Sequence, residues 1–462
     1  MTTTIELPLW LFVLMVLFAM VTFASHFLFP SVRWFFRRRL ERAVKRLNKR
    51  LTRPIEPFKL ARRYDMIQRL IYDPEVTQAI VLHAQENGVP ENVAFEKARR
   101  YAREIVPSFS AFTYFSFGAR VSRWLATALY DVRTGLNNDQ QIQSVSPNAT
   151  VVFVINHRSN MDYVLVTYLA ARASALSYAV GEWARVWPLS RLIKSMGAYF
   201  IRRRSRGHLY RKVLARYVQM ATEGGVTQAI FPEGGLSVNG KLMPLKKGLL
   251  SYVVDGFDPD KRDVVFVPVA INYDRVLEDR VLIAADKRGD RRFGVSMTVV
   301  MIEILRLLWQ WITRRYRKFG TASVVFGPPV SLAALGSDRD LDDLTETLGH
   351  SIRDVMPVPF VPLLARVFLQ QGAPLSDADL IHRAKTEMPT DRGTRPALTS
   401  DALCDRLKRA LGDMERRGML KKQGHAWAMV PAEHDLFRFY ANSIEDLYPS
   451  PLPTEDAARA KS

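Results

Sequence analysis

A histidine and an aspartate five positions apart, His157 and Asp162 in the stretch NHRSNMDY, form the first pattern that could carry chemistry. Five positions on a regular helix correspond to about 500°, so the two side chains would not share a face. They can meet only if His157 lies in a loop and Asp162 lies in the first turn of the following helix. A histidine oriented by a carboxylate is suited to take a proton from an alcohol. The structural alternative is a helix-capping Asp beside an incidental surface His.

Four arginines follow apolar residues in the stretch GAYFIRRRSR: Arg202, Arg203, Arg204 and Arg206. Guanidinium groups bind phosphate through two parallel hydrogen bonds. The cluster is predicted to leave a strand at the end where an open α/β sheet places its ligands. We therefore predict a phosphate site here, with a solvated charge run as the alternative.

The stretch FPEGGLSVNGK combines a carboxylate with two glycines directly after another apolar run. Glu233 could accept hydrogen bonds from substrate hydroxyls, while Gly234 and Gly235 let backbone amides approach an anion closely. Taken alone, Pro-Glu-Gly-Gly is also a common tight turn. Further along, Val267 and Pro268 offer an apolar surface that suits either an acyl chain or plain core packing.

The elements that must position these residues are short apolar runs separated by helical stretches. The runs are TVVFVIN, GAYFIRR, TQAIFPEGG, DVVFVPVAINY and ASVVFGPPV. Bounded runs of this length that alternate with helices indicate buried strands, so we predict an α/β sheet flanked by helices. We place this catalytic domain at residues 148–335. A basic helical lead-in is predicted at residues 37–147, and a helical carboxyl-terminal region at residues 336–462.

Residues 1–36 are predicted to be an amino-terminal transmembrane anchor. The stretch from Leu7 to Phe29 lacks Asp, Glu, Lys and Arg, and a bilayer-spanning helix needs about 20 such residues. From Arg33 to Arg50 the chain has nine Lys/Arg and one Glu, which by the positive-inside rule places the rest of the chain in the cytoplasm. This basic segment is either an amphipathic helix on an anionic surface or a solvated flank. We predict a single-pass protein of the cell inner membrane with a cytoplasmic catalytic domain.

The net charge and the cysteine content limit the kinds of partner and cofactor that the protein is expected to bind. The net charge of +20 favours anionic partners: nucleic acid, phospholipid headgroups or phosphorylated substrates. The single cysteine, Cys404, cannot close an intramolecular disulfide, and no Cys/His spacing matches a metal-binding pattern. We predict no metal site and no redox cofactor.

The four motifs, in this order, resemble those of the glycerolipid acyltransferases, and most of all the bacterial membrane-bound glycerol-3-phosphate acyltransferases. The matching stretches are HRSNMD, GAYFIRR, FPEGG and FVPVAINYDRV, and the resemblance continues through LKKGLL, FGPPVSL and FYANSIEDL. It implies transfer of a fatty acyl group from a coenzyme A or acyl carrier protein thioester to the sn-1 hydroxyl of glycerol 3-phosphate. The product would be lysophosphatidic acid, formed by direct attack without an acyl-enzyme.

The resemblance also implies roles for individual residues. His157 would be the base and Asp162 its support. The remaining residues would bind substrates: Arg202, Glu233, Gly234 and Ser237 the phosphorylated acceptor, Lys246 its phosphate or the donor's phosphopantetheine, and Val267 and Pro268 the acyl chain. Anionic phospholipid membrane is the expected surface partner.

Two alternatives remain, one for the acceptor and one for the function as a whole. Leu236 stands where many family members have arginine, so part of the phosphate contact must come from elsewhere or the acceptor differs. The alternative acceptor is lysophosphatidic acid, which would give phosphatidic acid, whereas a hydrolase is disfavoured because no G-x-S-x-G elbow is present. Residues 399–430 suggest helices followed by a hairpin, compatible with a nucleic-acid-binding winged helix. That alternative leaves the four motifs unexplained, so no nucleic-acid partner is predicted.

Overall fold

The computed structural model describes residues 8–135, 138–171, 173–181, 189–202, 207–289, 309, 313, 317–336, 340–388, 400–449 and 452. Within its helices, the side chains of residues 21–37, 40, 41, 43, 189 and 400 are not described. The chain divides into two compact units, one up to Ile55 and one from Glu56 onward.

The unit that ends at Ile55 is built from one long helix, α1 (Leu9–Asn48). Most of its large apolar side chains between Leu9 and Met20 are exposed. In the part of the chain that the structure describes, no helix combines the length and the apolar character needed to cross a bilayer. The predicted anchor at residues 1–36 is therefore not supported here, and its side chains from residue 21 onward lie outside the described set.

The second unit contains the remaining helices and all the strands. Its helices are α2 (Pro57–Leu60), α3 (Arg63–Ile71), α4 (Pro74–Asn87), α5 (Glu91–Ile105), α6 (Ala119–Leu129), α7 (Asn138–Gln143), α8 (Met161–Ala170), α9 (Leu189–Ser195), α10 (His208–Glu223), α11 (Lys247–Asp255), α12 (Asp279–Lys287), α13 (Leu341–Asp354), α14 (Phe360–Gln371), α15 (Asp377–Glu387), α16 (Ser400–Arg416) and α17 (His434–Asn442). Its strands are β1 (Asp131–Thr134), β2 (Thr150–Ile155), β3 (Ser177–Val180), β4 (Tyr199–Phe200), β5 (Gln228–Ile230), β6 (Val264–Tyr273), β7 (Thr321–Phe326), β8 (Val330–Ser331), β9 (Leu375–Ser376), β10 (Leu420–Gln423) and β11 (Ala426–Met429). A π-helical turn, Thr113–Gly118, leads directly into α6.

The central sheet is mixed, with the strand order β1-β7-β6-β2-β5-β3-β4. Strands β6, β2, β5, β3 and β4 run parallel to one another, whereas β7 and β1 run the opposite way. Strand β8 pairs with the beginning of β6. The carboxyl ends of β2, β5 and β6 therefore lie together at one edge of the sheet, where the sequence motifs follow them.

Both faces of the sheet are covered by helices, which explains the continuous apolar character of its strands. Side chains alternate between the two faces along a strand. In β2, Val151 and Phe153 pack towards the layer that contains α6, α8, α12 and α14, whereas Val152 and Val154 pack towards α3, α4, α5, α10, α11 and α13. Every residue of β2 is buried, as expected of a central strand in a covered sheet.

The carboxyl-terminal part adds a second, smaller sheet. Strands β10, β11 and β9 are antiparallel in the order β10-β11-β9, and they follow the chain order α14, β9, α15, α16, β10, β11. Leu407, Leu411 and Met414 of α16 are buried in the same apolar cluster as the main sheet. Helix α16 and the β10–β11 hairpin span residues 400–429, within the stretch 399–430 where the sequence suggested helices and a hairpin.

The predicted α/β sheet flanked by helices is confirmed, but two of its strands were not foreseen. Strand β1 (DVRT) lies inside the predicted helical lead-in, and its polar, short sequence lacks the apolar run that marks a buried strand. Strand β3 (SYAV) follows an alanine-rich stretch that favours helix. The predicted boundary at residue 36 falls inside α1, and residues from Glu56 onward form one compact unit.

Candidate active site

His157 and Asp162 come together at the carboxyl end of β2. His157 lies in the loop after the strand, and Asp162 lies in the first turn of α8. The His157 Nδ1 atom is 2.9 Å from Asp162 Oδ2, and both side chains are buried, with exposed fractions of 2% and 0%. This is the loop-and-first-turn arrangement that the five-residue spacing requires. Because a carboxylate can only accept, Nδ1 carries the proton and Nε2 is left as the acceptor.

Asp162 is held by four hydrogen bonds. Besides His157, the backbone N–H groups of Arg158 and Ser159 donate to Oδ2 at 2.7 and 3.0 Å. The hydroxyl of Tyr273, the last residue of β6, donates to Oδ1 at 2.5 Å. Burial and the neighbouring Asp162 charge raise the pKa of Tyr273, so its hydroxyl stays protonated and can donate. Asp162 is thereby fixed in the orientation that holds the His157 ring.

Replacing Tyr273 with Phe should lower turnover about tenfold, because one hydrogen bond to a charged carboxylate is lost while the fold is kept. The Michaelis constants for both substrates should change little, since the hydroxyl faces Asp162. The matched control is Tyr199→Phe, because the buried Tyr199 hydroxyl makes no hydrogen bond to any described residue. A fall in activity of the same size in both variants would show that Tyr273 acts only through packing.

Residues of the FPEGGLS segment form hydrogen bonds with both the N–H and the carbonyl group of His157. Glu233 Oε1 accepts from the His157 N–H at 2.8 Å, and the Ser237 N–H donates to the His157 carbonyl at 3.0 Å. The other Glu233 oxygen accepts from the Met243 N–H at 3.3 Å, and the Ser237 hydroxyl donates to the Lys241 carbonyl at 2.7 Å. Both side chains are buried. In this structure they position the loop after β2 (residues 156–160), and their predicted contact with the acceptor stays a prediction.

Burial raises the pKa of Glu233 to about 7, against the opposing effects of Arg158 and the two backbone donors. The folded state therefore holds a proton between pH 4.5 and about 7 that the unfolded chain has released. Folding stability should fall as pH rises through this window, by about 3 kcal/mol at most. Thermal unfolding of the wild type and of Glu233→Gln across this range checks this, because the variant should lose that part of the slope. Parallel curves would contradict the assignment.

Gly234 and Lys246 lie next to each other beside this loop. Gly234 has φ +72°, which strains any larger residue, and a Cβ built there would lie 2.9 Å from Lys246 Nζ, so the lysine side chain would have to shift. The Lys246 N–H donates to the Pro232 carbonyl at 2.9 Å, while its side chain is exposed. Lys246 is thus placed where an anion could reach both its ammonium group and the loop.

Arg202 follows β4 and already has a buried carboxylate partner. Its Nε and Nη2 atoms donate to the two oxygens of Glu104 at 2.9 and 2.7 Å. The guanidinium also lies 5.3 Å from the ring centre of Tyr101 and 6.0 Å from that of Tyr210. This pairing raises the pKa of Arg202. A phosphate at Arg202 would have to share the guanidinium with Glu104, and Arg203, Arg204 and Arg206 lie outside the described residues.

Val267 and Pro268 lie in the middle of β6, paired with Phe153 and Val154 of β2. Both are buried within the sheet. The structure therefore places them in the core packing that the sequence left open as the alternative. Their predicted contact with an acyl chain stays a prediction.

Arg158 connects the loop after β2 to the carboxyl-terminal segment, a role that its place in the HRSNMD motif did not indicate. Its buried guanidinium donates to the backbone carbonyl of Gly240 and, at 3.2 Å, to that of Ser443. Gly240 has φ +83°, and any side chain there would collide with the Phe439 carbonyl. The FYANSIEDL stretch thus packs directly on the loop that follows FPEGG.

Glu278 supports the same loop from the other side. It accepts from the Ser159 hydroxyl at 2.7 Å, and from the Asn160 backbone and side-chain N–H groups at 3.2 and 3.0 Å. Burial raises the pKa of Glu278. In the sequence, Glu278 is marked only by the fact that it follows the VPV motif. Within the described residues, no three His, Cys, Asp or Glu side chains lie close enough together to hold a metal ion.

Comparison with known proteins shows what the chain is similar to. Residues 136–272 match the family model described as Acyltransferase. The glycerol-3-phosphate acyltransferase of Pseudomonas entomophila (strain L48) is 30% identical over 298 residues, which cover 64% of this chain and 35% of that protein. The protein of the same name from Pseudomonas putida (strain KT2440) is 31% identical over 278 residues, covering 59% and 32%.

This chain thus spans about a third of the length of the curated relatives it matches. Among solved structures, the 1-acyl-sn-glycerophosphate (LPA) acyltransferase from Thermotoga maritima aligns with a TM-score of 0.33 and 20% identity, over 52% of this chain and 78% of that chain. Residues 136–272 are thus similar to the Acyltransferase family, and 64% of the chain is similar to a glycerol-3-phosphate acyltransferase.

Proposed function

We propose that this chain transfers a fatty acyl group from an acyl thioester to the sn-1 hydroxyl of glycerol 3-phosphate and releases lysophosphatidic acid. The observation that carries the proposal is the buried His157–Asp162 pair at 2.9 Å, which leaves Nε2 as a proton acceptor. The names of the related proteins support the acceptor, and the donor is a coenzyme A or acyl carrier protein thioester.

The chemistry needs one base that also returns its proton. His157 Nε2 takes the proton from the glycerol hydroxyl as its oxygen attacks the thioester carbonyl. Asp162 stabilises the imidazolium that forms, because its carboxylate already accepts from Nδ1. The tetrahedral intermediate collapses, the carbon–sulfur bond breaks, and the departing sulfur takes the proton from the imidazolium. No covalent acyl-enzyme is needed, since the attacking oxygen belongs to the acceptor.

The phosphate of the acceptor is bound by cations at the carboxyl ends of the parallel strands. Lys246 is exposed beside Gly234, which follows β5, and Arg202 follows β4, which is separated from β5 by β3. Leu236 supplies no charge and packs partly buried against the core, so Lys246 and Arg202 provide the contact for which many family members use arginine. The alternative acceptor, lysophosphatidic acid, would place its own acyl chain near this apolar side chain.

Replacing Arg202 with Ala should raise the Michaelis constant for glycerol 3-phosphate by about tenfold or more, because a charge-assisted hydrogen bond to phosphate is lost. Turnover at saturating acceptor should change less. Arg216→Ala is the matched control, because Arg216 of α10 makes comparable ion pairs with Asp73, which precedes α4, and with Glu223. An effect confined to the acyl donor would move Arg202 to the donor site.

Membrane attachment belongs to the same proposal. The apolar first half of α1, with exposed Leu9, Trp10 and Phe18, would enter the inner membrane, and the acyltransferase domain would lie on its cytoplasmic side. Anionic phospholipid is the expected partner of the basic residues that follow. Resistance to alkaline carbonate extraction in the full chain, lost when residues 1–36 are deleted, is the expected result.

The acceptor is tested with purified full-length chain and a long-chain acyl thioester. Glycerol 3-phosphate and lysophosphatidic acid are compared as acceptors, each with coenzyme A and acyl carrier protein donors. Formation of 1-acyl lysophosphatidic acid supports the proposal. Acylation of only the lysophospholipid would replace it with the alternative, and 2-acyl product would overturn the assigned position.

A further inference from the structure

One exposed helical face in the second unit carries large apolar side chains that nothing in the described chain covers. Phe112 is 70% exposed, Phe117 48%, Val121 39% and Trp124 58%. These four residues are here called the aromatic face: Phe112 directly precedes the π-helical turn, Phe117 lies in it, and Val121 and Trp124 lie on α6. Exposed apolar residues are ordinary when scattered singly, but four on one helical segment, two of them phenylalanines and one a tryptophan, mark an interaction surface.

The helix geometry brings these residues together. Phe117 near the end of the π-helical turn and Val121 and Trp124 of α6 follow the spacing of one helical stripe. The π-helical turn takes about one extra residue per turn, so Phe112 reaches the same side as Phe117 five positions later. The opposite stripe is buried and includes Tyr114, whose hydroxyl accepts from the Leu176 N–H at 3.1 Å. The segment is therefore anchored on one side and open on the other.

Two arginines border the aromatic face. Arg120 and Arg123 are exposed on α6, and neither makes a salt bridge to any described acidic side chain. A helix that shows Trp and Phe beside unpaired arginines fits the interface of a bilayer, where indole rings prefer the headgroup level and cations meet anionic phosphates. The chain's net charge of +20 acts in the same direction.

The position of the segment links it to the active site. Helix α6 packs against α8, and the first turn of α8 holds Asp162. A bilayer that contacts the outer side of α6 would therefore lie one helix away from the His157–Asp162 pair.

We propose that the aromatic face, with Arg120 and Arg123 beside it, docks onto the surface of an anionic phospholipid bilayer. This contact is separate from the apolar half of α1 and involves the acyltransferase-containing unit itself. It is shallow, since the segment is buried on its other side and only its exposed rings can enter the headgroup region. The contact does not depend on which acceptor is acylated.

The test reports the environment of single positions in the full-length chain. In a Cys404→Ser background, Trp124→Cys carries an environment-sensitive nitrobenzoxadiazole label. Val93→Cys is the matched control, because Val93 is 51% exposed on α5 in the other helical layer. Each protein is reconstituted by detergent removal into phosphatidylcholine vesicles, with or without phosphatidylglycerol.

The label at position 124 should shift to shorter emission wavelengths and be quenched by lipids that carry a nitroxide near the headgroup, most strongly with phosphatidylglycerol at low salt. The label at position 93 should do neither. Equal, water-like emission at both positions in all vesicles would overturn the proposal. A shift at position 124 that appears without vesicles and grows with protein concentration would also overturn it, because a second copy of the chain would then cover the face. Phe117→Cys repeats the measurement if the Trp124 variant does not fold.

Discussion

Replacing His157 with Ala should lower the turnover of acyl transfer by about 10²- to 10⁴-fold, the usual contribution of a positioned general base. The ring is buried against Phe231 and Tyr163, with ring centres 4.4 and 5.4 Å away. Its removal therefore leaves a small cavity as well as a missing base, and thermal unfolding must be measured beside turnover. Donor binding should persist, since the loss concerns proton transfer.

An exposed histidine provides the control for this variant. His350→Ala removes a solvent-exposed ring on α13, far in sequence from every motif, and should leave turnover unchanged. Activity of His157→Ala within a few fold of the wild type would rule out the base assignment. A variant that loses turnover and is also unfolded decides nothing by itself, so His157→Gln, which keeps most of the volume, is measured in parallel and should be equally inactive.

Asp162→Asn should reduce turnover by about 10³- to 10⁴-fold, because an amide that donates to Nδ1 favours the wrong imidazole tautomer and removes the charge that stabilises the imidazolium. Two backbone N–H groups and the Tyr273 hydroxyl also point at this carboxylate. The substitution should therefore lower the melting temperature as well.

The control separates stability from catalysis. Asp279→Asn alters another buried carboxylate, which accepts from Tyr440 at 2.5 Å and pairs with Arg417, without touching the loop after β2. It should lower the melting temperature but keep turnover near that of the wild type. If both variants lost turnover in proportion to their stability, Asp162 would be a structural residue.

Much of the site could be predicted because its signals are local. Strands β2 and β6 are continuous apolar runs bounded by polar residues, and a buried strand needs that composition. The meeting of His157 with Asp162 follows from their spacing across a strand-to-helix junction. The topology rule that ligands lie at the carboxyl ends of parallel strands placed the FPEGG motif beside them.

The partners of these residues were not predictable, because they come from distant parts of the chain. Glu104, which pairs with Arg202, lies on α5 without any motif around it. Tyr273 ends a strand whose apolar run gives no indication that its hydroxyl reaches Asp162. Such contacts depend on sheet order and helix placement, which sequence periodicity does not determine.

The orientation of Glu233 shows the same limit within a motif. The sequence placed Glu233 at the edge of the sheet where ligands are expected, and from there its carboxylate could contact a substrate hydroxyl. In the structure its two oxygens are occupied by the backbone N–H groups of His157 and Met243. A buried carboxylate accepts hydrogen bonds from the nearest donors, because buried oxygens without a hydrogen-bond partner cost free energy.

Acyl transfer to glycerol 3-phosphate should be measured with the purified chain and with His157→Ala prepared in the same way. Lysophosphatidic acid should accumulate with the wild type, and its rate of formation should be at least about 10²-fold lower with the variant. Absence of acyl transfer by a folded wild type, or undiminished transfer by the variant, would contradict the role of His157 as the base of this reaction.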